Sequence, residues 1–165
     1  MKIFIRTTGE RSLKQFGNLN YQVLLDEKKT GCRGYFKQLK YLSTLEDDIL
    51  LLEDDIKLRP NFFSVLNDLI KLSQNNYIIN MSQPTDRVYI LKPQNFIWTR
   101  AVYYPKGSIA KFIKKYSKES LKISEYYDKI QATLMEEEYI GCASVMTIID
   151  LNLKSLMDYS KKIKS

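Results

Sequence analysis

Six carboxylates stand between Leu45 and Ile56 with no basic residue among them: Glu46, Asp47 and Asp48, then Glu53, Asp54 and Asp55. An unbroken apolar run, ILLL at 49–52, separates the two groups and has the length and character of a buried strand. In an open parallel sheet, ligands bind at the carboxyl ends of the strands. Glu53, Asp54 and Asp55 would sit at that edge. Three adjacent carboxylates repel one another unless positive charge lies between them, and a hard divalent cation, Mg²⁺ or Mn²⁺, takes oxygen ligands of this kind. Such a cation would stabilise a diphosphate leaving group. The plainer alternative is an acidic loop that ends a strand. Glu46, Asp47 and Asp48 precede the strand, on the opposite edge, and read as a turn and solubility feature.

Composition narrows the chemistry. The 165 residues include no histidine, so Ser-His-Asp and Cys-His nucleophile systems and a histidine general base are excluded. Cys32 and Cys142 are far apart and form no CxxC pair, which excludes a zinc ribbon and a thioredoxin-like site and favours two buried free thiols over a single disulfide. The net charge is +7, but the acidic stretch carries −6, leaving +13 on the rest. Six lysines against the single acid Glu119 lie between Lys106 and Lys122, and the chain ends in KKIKS. The lysines read either as a solvated helix face or as the surround of an anionic ligand. No stretch approaches the roughly 18 apolar residues of a membrane span, and MKIFIR reads as a first strand, so no membrane insertion and a cytoplasmic location are expected.

Residues 2–6, 21–25 and 49–52 read as strands, with a helix over 34–45 carrying Tyr35, Phe36, Leu39, Leu42 and Leu45 at helical spacing. Alternation of strand and helix predicts one α/β domain over 1–165, with a mostly parallel central sheet flanked by helices. Its halves are expected to be a nucleotide-binding 1–60 and an acceptor-side 61–165. Further strands are expected at 77–81, 87–91, 94–98 and 142–149. Helices are expected from Pro60 through Leu72, over 106–116 and over 125–138, and a lysine-rich helix at the end.

LLLEDDIKLRPNFFSVLNDL resembles the aspartate-rich DxD region of GT-A glycosyltransferases, particularly small bacterial and phage enzymes related to the lipopolysaccharide and collagen galactosyltransferases. FIWTRAVYYPKGSIAKFIKKY and YYDKIQATLMEEEYIGCASVMTIID are similar to later segments of the same group, so the likeness covers much of 49–150. It implies a GT-A-like fold, a nucleotide-sugar donor (a UDP-sugar) and metal-dependent sugar transfer; the short chain implies a reduced acceptor subdomain, and a candidate base with no evident nucleophile favours inversion. Asp55 would be the metal ligand, Asp54 would share the metal or touch the ribose, and Glu53 would support them. Arg6, Thr7, Thr8 and Arg11 would lie by the nucleobase and ribose, and Gly31, Arg33 and Lys37 would approach the nucleotide, although Gly31 and Gly34 also suit a turn. With no histidine, the base for the acceptor hydroxyl should be a carboxylate. Asp128 is placed for it by the third segment, with Asp86 in reserve. Trp98, Arg100 and Tyr103 would contact the sugar or acceptor, although a lone tryptophan such as Trp98 reads sooner as core.

The chain departs from the group in two ways. Relatives carry a histidine near the positions aligned with Asp150 and Leu151, and here Asp150 would have to complete the site. The chain is also short. The acceptor, an anionic one such as a phage-modified DNA base or a cell-surface glycan, is not specified by the sequence. Two rival readings stand beside this one. Asp55-Ile56-Lys57 fits half of a metal-dependent nuclease site, against which Lys57 reads as leading into a helix rather than lying in a strand. The lysines and twelve tyrosines also fit a non-enzymatic nucleic-acid binder.

Overall fold

A computed structural model of the chain describes residues 1–30, 32–82, 89–91, 99–114, 127–137 and 141–150. Among the described residues nine strands and four helices follow one another: β1 (Lys2–Thr7), β2 (Gln22–Leu25), α1 (Cys32–Leu42), β3 (Ile49–Glu53), β4 (Ile56–Leu58), α2 (Phe62–Leu72), β5 (Ile78–Asn80), β6 (Tyr89–Leu91), β7 (Ala101–Tyr104), α3 (Ser108–Ile113), α4 (Tyr127–Glu137), β8 (Cys142–Ser144) and β9 (Ile148–Asp150). A 3-10 turn, Lys14–Phe16, lies between β1 and β2.

Seven strands form one sheet in the order β2-β1-β3-β7-β5-β8-β6, and β4 pairs with β9 in a separate ribbon. β2, β1, β3, β5 and β8 run one way, while β7 and β6 run the other. The expected mostly parallel sheet is therefore present, with an antiparallel strand set into its middle. β7, from the second half of the chain, lies directly against β3 from the first, so a single sheet spans both halves.

Alternation along the central strands builds two cores. Phe4, Ile49, Leu51, Ile78, Val102 and Tyr104 point to one face, where α1 supplies Tyr35, Phe36 and Leu39 and α4 supplies Met135. Ile5, Leu50, Leu52, Ile79, Ala101 and Tyr103 point to the other, under Phe62, Leu66 and Leu69 of α2. Burial on both faces is why β3 reads as a continuous apolar run rather than an alternating one.

Three expectations are corrected. Residues 142–149 are not one strand: β8 stays in the large sheet, and the chain then leaves it, with Val145 and Thr147 N–H donating to the Asn80 and Met81 carbonyls before β9 begins. β7 was not anticipated, because its four residues are buried on both faces and carry no period. Lys57 lies mid-strand in β4, opposite Ile149, rather than leading straight into a helix. The strand expected at 94–98 and the closing lysine-rich helix lie outside the described residues. Among the described residues no helix is long and apolar enough to cross a membrane.

Both cysteines are free and buried, as expected. Burial pushes the Cys142 thiol up to about 12. The hydroxyls of Tyr103 and Tyr104 are likewise raised, above all by burial. These protons stay on the folded protein at a pH where an unfolded thiol, near 8.5, has lost its own. This stability contribution is complete below that value and declines as pH rises toward the folded value. The urea midpoint should fall from about pH 7 to about pH 10 by an equivalent of about 1–2 kcal/mol. Native protein should also react slowly with iodoacetamide. Rapid alkylation of Cys142 without denaturant would contradict its burial.

Candidate functional site

The carboxyl ends of β1, β2 and β3 lie side by side, because all three run parallel and in register: Arg6 is opposite Glu53 on one side and Leu24 on the other. Arg6 is the hub. Its Nη1 is 3.2 Å from Glu53 Oε1, its Nη2 3.5 Å from Asp26 Oδ2, and its Nε donates to Gln38 Oε1 at 3.0 Å. The guanidinium also lies over the Tyr35 ring, 5.6 Å from its centroid. That ring is held from behind: Tyr35 and Tyr104 hydroxyls are 2.9 Å apart, Tyr35 donates to Gln131 Oε1 at 2.8 Å, and Gln131 Nε2 donates to Tyr104 at 2.9 Å. A buried polar triad drawn from α1, β7 and α4 thus fixes the aromatic floor under the arginine.

The next residue, Thr7, donates from its hydroxyl to Asp54 Oδ2 and accepts the Gly9 N–H at 2.9 Å. Gly9 has φ +83°, a conformation that side-chain-bearing residues avoid, so the chain turns sharply there. Beyond the turn, Arg11 returns to Asp54, with Nη1 3.0 Å from Oδ1, and Gln15 Nε2 donates to the Asp54 carbonyl at 2.8 Å. Asp55 is nearly buried, and its Oδ2 is 3.8 Å from Arg100 Nε. Arg100 also accepts the Glu53 N–H at its carbonyl, at 2.7 Å.

This arrangement alters the electrostatic premise drawn from sequence. Glu53 faces Arg6, Asp54 faces Arg11 and Asp55 faces Arg100, so arginines already supply positive charge beside all three carboxylates. Among the described residues no group of three or more acidic or thiol side chains converges to hold a metal ion. A cation here would be held by one or two carboxylates, with oxygen atoms of a ligand and water completing its shell. Asp54 and Asp55 fit that donor set: both line a cavity of about 220 Å³ with Arg6, Thr7, Thr8, Glu10, Arg11 and Glu53. At its mouth Glu10 pairs with Lys29, which holds the Glu10 carboxyl below the usual carboxylate range.

The sequence-derived site residues therefore divide. Arg6, Thr7, Thr8, Arg11, Glu53, Asp54 and Asp55 come together around one cavity, with Arg100 against Asp55. Arg33 and Lys37 line a different cavity, of about 560 Å³, between β2 and α1. Gly34 is not a turn residue. It lies in α1, packed against Asp26 and Thr30. Tyr103 is corrected as an acceptor contact, since it is fully buried and its hydroxyl donates to Asn75 Oδ1 at the opposite end of the sheet. Asn75 in turn reaches Asp48, which also caps the Lys106 N–H at 2.9 Å. There Asp47 pairs with Lys2 and Glu46 with Lys106, so the first acidic group is on the opposite edge as expected. Asp128 falls in the first turn of α4, with its side chain outside what is described, as are Gly31, Asp86 and Trp98.

Sequence reasoning missed Asp26, Gln38, Gln15 and Gln131. Only Asp26 left a signal, as an acid closing a strand with a threonine four residues on. Its carboxylate accepts from the Thr30 N–H and hydroxyl, a local turn-forming pattern. The glutamines are placed by tertiary contact alone.

No protein-family model matches the chain, and no curated protein matches it. Among solved structures it is similar to the crystal structure of A197 from STIV, at 9% identity and a TM-score of 0.57, over 90% of this chain and 83% of that one. At that identity the likeness shows the fold alone, a single mixed α/β domain.

Proposed function

We propose that the chain is a metal-assisted glycosyltransferase of GT-A-like architecture with a reduced acceptor side, taking a sugar from a nucleotide-sugar donor. The observation that carries this reading is the cavity where parallel strands end, in which Asp54 and Asp55 stand beside Thr7, Thr8 and Arg11. The resemblance of the 50–69 stretch to the DxD region supports it.

In this reading Asp55 and Asp54 hold a divalent cation, Mn²⁺ or Mg²⁺, which when bound neutralises charge on the departing diphosphate. Arg6 is a positioning residue: its guanidinium is taken up by Glu53, Asp26 and Gln38. Arg11 differs, since its side chain is about half exposed and engages Asp54 through a single nitrogen. It can exchange that partner for a donor phosphate, which a guanidinium fork suits. Thr8 at the rim is placed for a ribose hydroxyl. Inverting transfer would use a carboxylate base, Asp128 or Asp86. The acceptor is anionic, a modified DNA base or a cell-surface glycan.

Thermal denaturation tests this. UDP with Mn²⁺ should raise the melting temperature of the full chain, neither alone should do so to the same extent, and Asp55→Asn should abolish the rise. Ligand at about a hundredfold over Kd adds about 2.7 kcal/mol, or roughly 5–11 °C for a domain of this size. The second reading is a metal-dependent nuclease using Asp55 and Lys57, of which Lys57 lies in β4 and Asp55 in the turn just before it. Metal-dependent DNA cleavage without any nucleotide-induced shift would replace the transferase reading with that one.

A further inference from the structure

We propose that the open edge of β2 is a docking groove for an acidic, extended segment of a partner polypeptide, which adds to the sheet as a further strand. Among the described residues β2 hydrogen-bonds only to β1 and ends the sheet, so its outer row of backbone donors and acceptors faces solvent. Natural proteins usually blunt or cover such an edge. Here it borders a groove of about 560 Å³ whose opposite wall is α1.

The groove is elongated. Arg33, Lys37 and Tyr41 recur every fourth residue along one face of α1, while Val23, Leu24 and Leu25 run beside them along β2. Val23, Leu25 and Tyr41 are each about half exposed, unusual for large apolar side chains. Lys28, Arg33 and Lys37 make the groove cationic, with Glu27 the one exposed acid in its lining, since Asp26 is taken up by Thr30 and Arg6.

Exposed strand edge, apolar surface and cations together suit an extended peptide with alternating apolar and acidic residues. A second copy of this chain would set the same cations against each other, which like-charge repulsion disfavours. A nucleic acid would match the cations but leave the strand edge unpaired. The inference is independent of the glycosyltransferase reading, because the groove lies on the far side of Arg6 from the carboxylate cavity.

A display library of random linear decapeptides, panned against the full chain, tests it. Selected peptides should alternate β-branched or aromatic residues with Asp or Glu. Their affinity, read by fluorescence anisotropy, should fall about tenfold or more in Arg33→Glu/Lys37→Glu. The same direction is expected in the milder Arg33→Gln/Lys37→Gln. Both positions are exposed, and circular dichroism verifies folding. N-methylation along one edge of the peptide should abolish binding, and along the other edge should be tolerated. The proposal is overturned if no peptide is selected, if binders lack acidic residues, if N-methylation has no effect, or if a single-stranded oligonucleotide displaces the peptide and binds more tightly. A stable dimer dispersed by the charge reversals would overturn it equally.

Discussion

Arg6→Leu should be among the most damaging single substitutions in this protein, lowering stability by about 3–5 kcal/mol. The arginine is largely buried, and it faces Glu53 and Asp26, which are as deeply placed. Removing it strands two carboxylates in an environment that cannot rehydrate them freely. The loss corresponds to a fall of roughly 6–20 °C in melting temperature for a domain of this size. Differential scanning calorimetry would measure it. Arg6→Lys should recover only part, because an ammonium keeps one charge but cannot serve Glu53, Asp26 and Gln38 as a planar fork does. Combining Arg6→Leu with Glu53→Gln should restore more than either change alone predicts, since the double variant removes a stranded charge. A loss below about 1 kcal/mol for Arg6→Leu would mean these pairs behave as solvent-screened surface bridges.

Gly34→Ala is the second test, and its sign opposes helix propensity. Alanine in a helix interior is ordinarily better than glycine by about 0.5–1 kcal/mol. At Gly34 a Cβ would come well inside contact distance of Asp26 Oδ2 and Thr30 Oγ1. Neither atom can swing away cheaply. Asp26 accepts two hydrogen bonds from Thr30 and faces Arg6, so displacing it disturbs the hub itself. Overpacking of this kind costs about 1–3 kcal/mol, so the net result should be destabilising by urea titration. Thr30→Ala in the same chain should return part of the loss by removing one of the two obstructing oxygens. If Gly34→Ala stabilises the protein, α1 is less closely docked on the end of β2 than described.

The two substitutions show how the site is built, and why only part of it was legible beforehand. Glu53, Asp54 and Asp55 could be placed at a sheet edge from sequence because an apolar run of strand length leads straight into them, and strand direction follows from strand-helix alternation. Arg6, Thr7 and Thr8 could be placed nearby for the same reason, at the end of the first strand. What neutralises the carboxylates could not be read. Arg100 precedes β7, a strand with no periodic signature, and only the pairing of β7 against β3 carries it to Asp55. Gln131 lies 96 residues from Tyr35, yet the two are hydrogen-bonded.

Tyr103 marks the opposite failure. Its type suited a sugar contact, but β7 is buried on both faces and the Tyr103 hydroxyl reaches toward Asp48 and Asn75 instead. Arg33 and Lys37 were read with the nucleotide-facing group, whereas helix phase sets them on the outer groove beside β2.

Residue order was therefore sufficient for what depends on local pattern: the α/β class, the central apolar strand and its acidic end. Those properties follow from side-chain type and from periods of two or 3.6 residues, which neighbours in the chain express directly. Tertiary structure alone decided which charges meet. An ion pair forms or fails over a few ångströms, and such distances arise from sheet order, strand register and helix phase rather than from spacing along the chain. Three carboxylates that looked short of positive charge in the sequence turn out each to face an arginine, two drawn from before the strand that leads into them and one from after it.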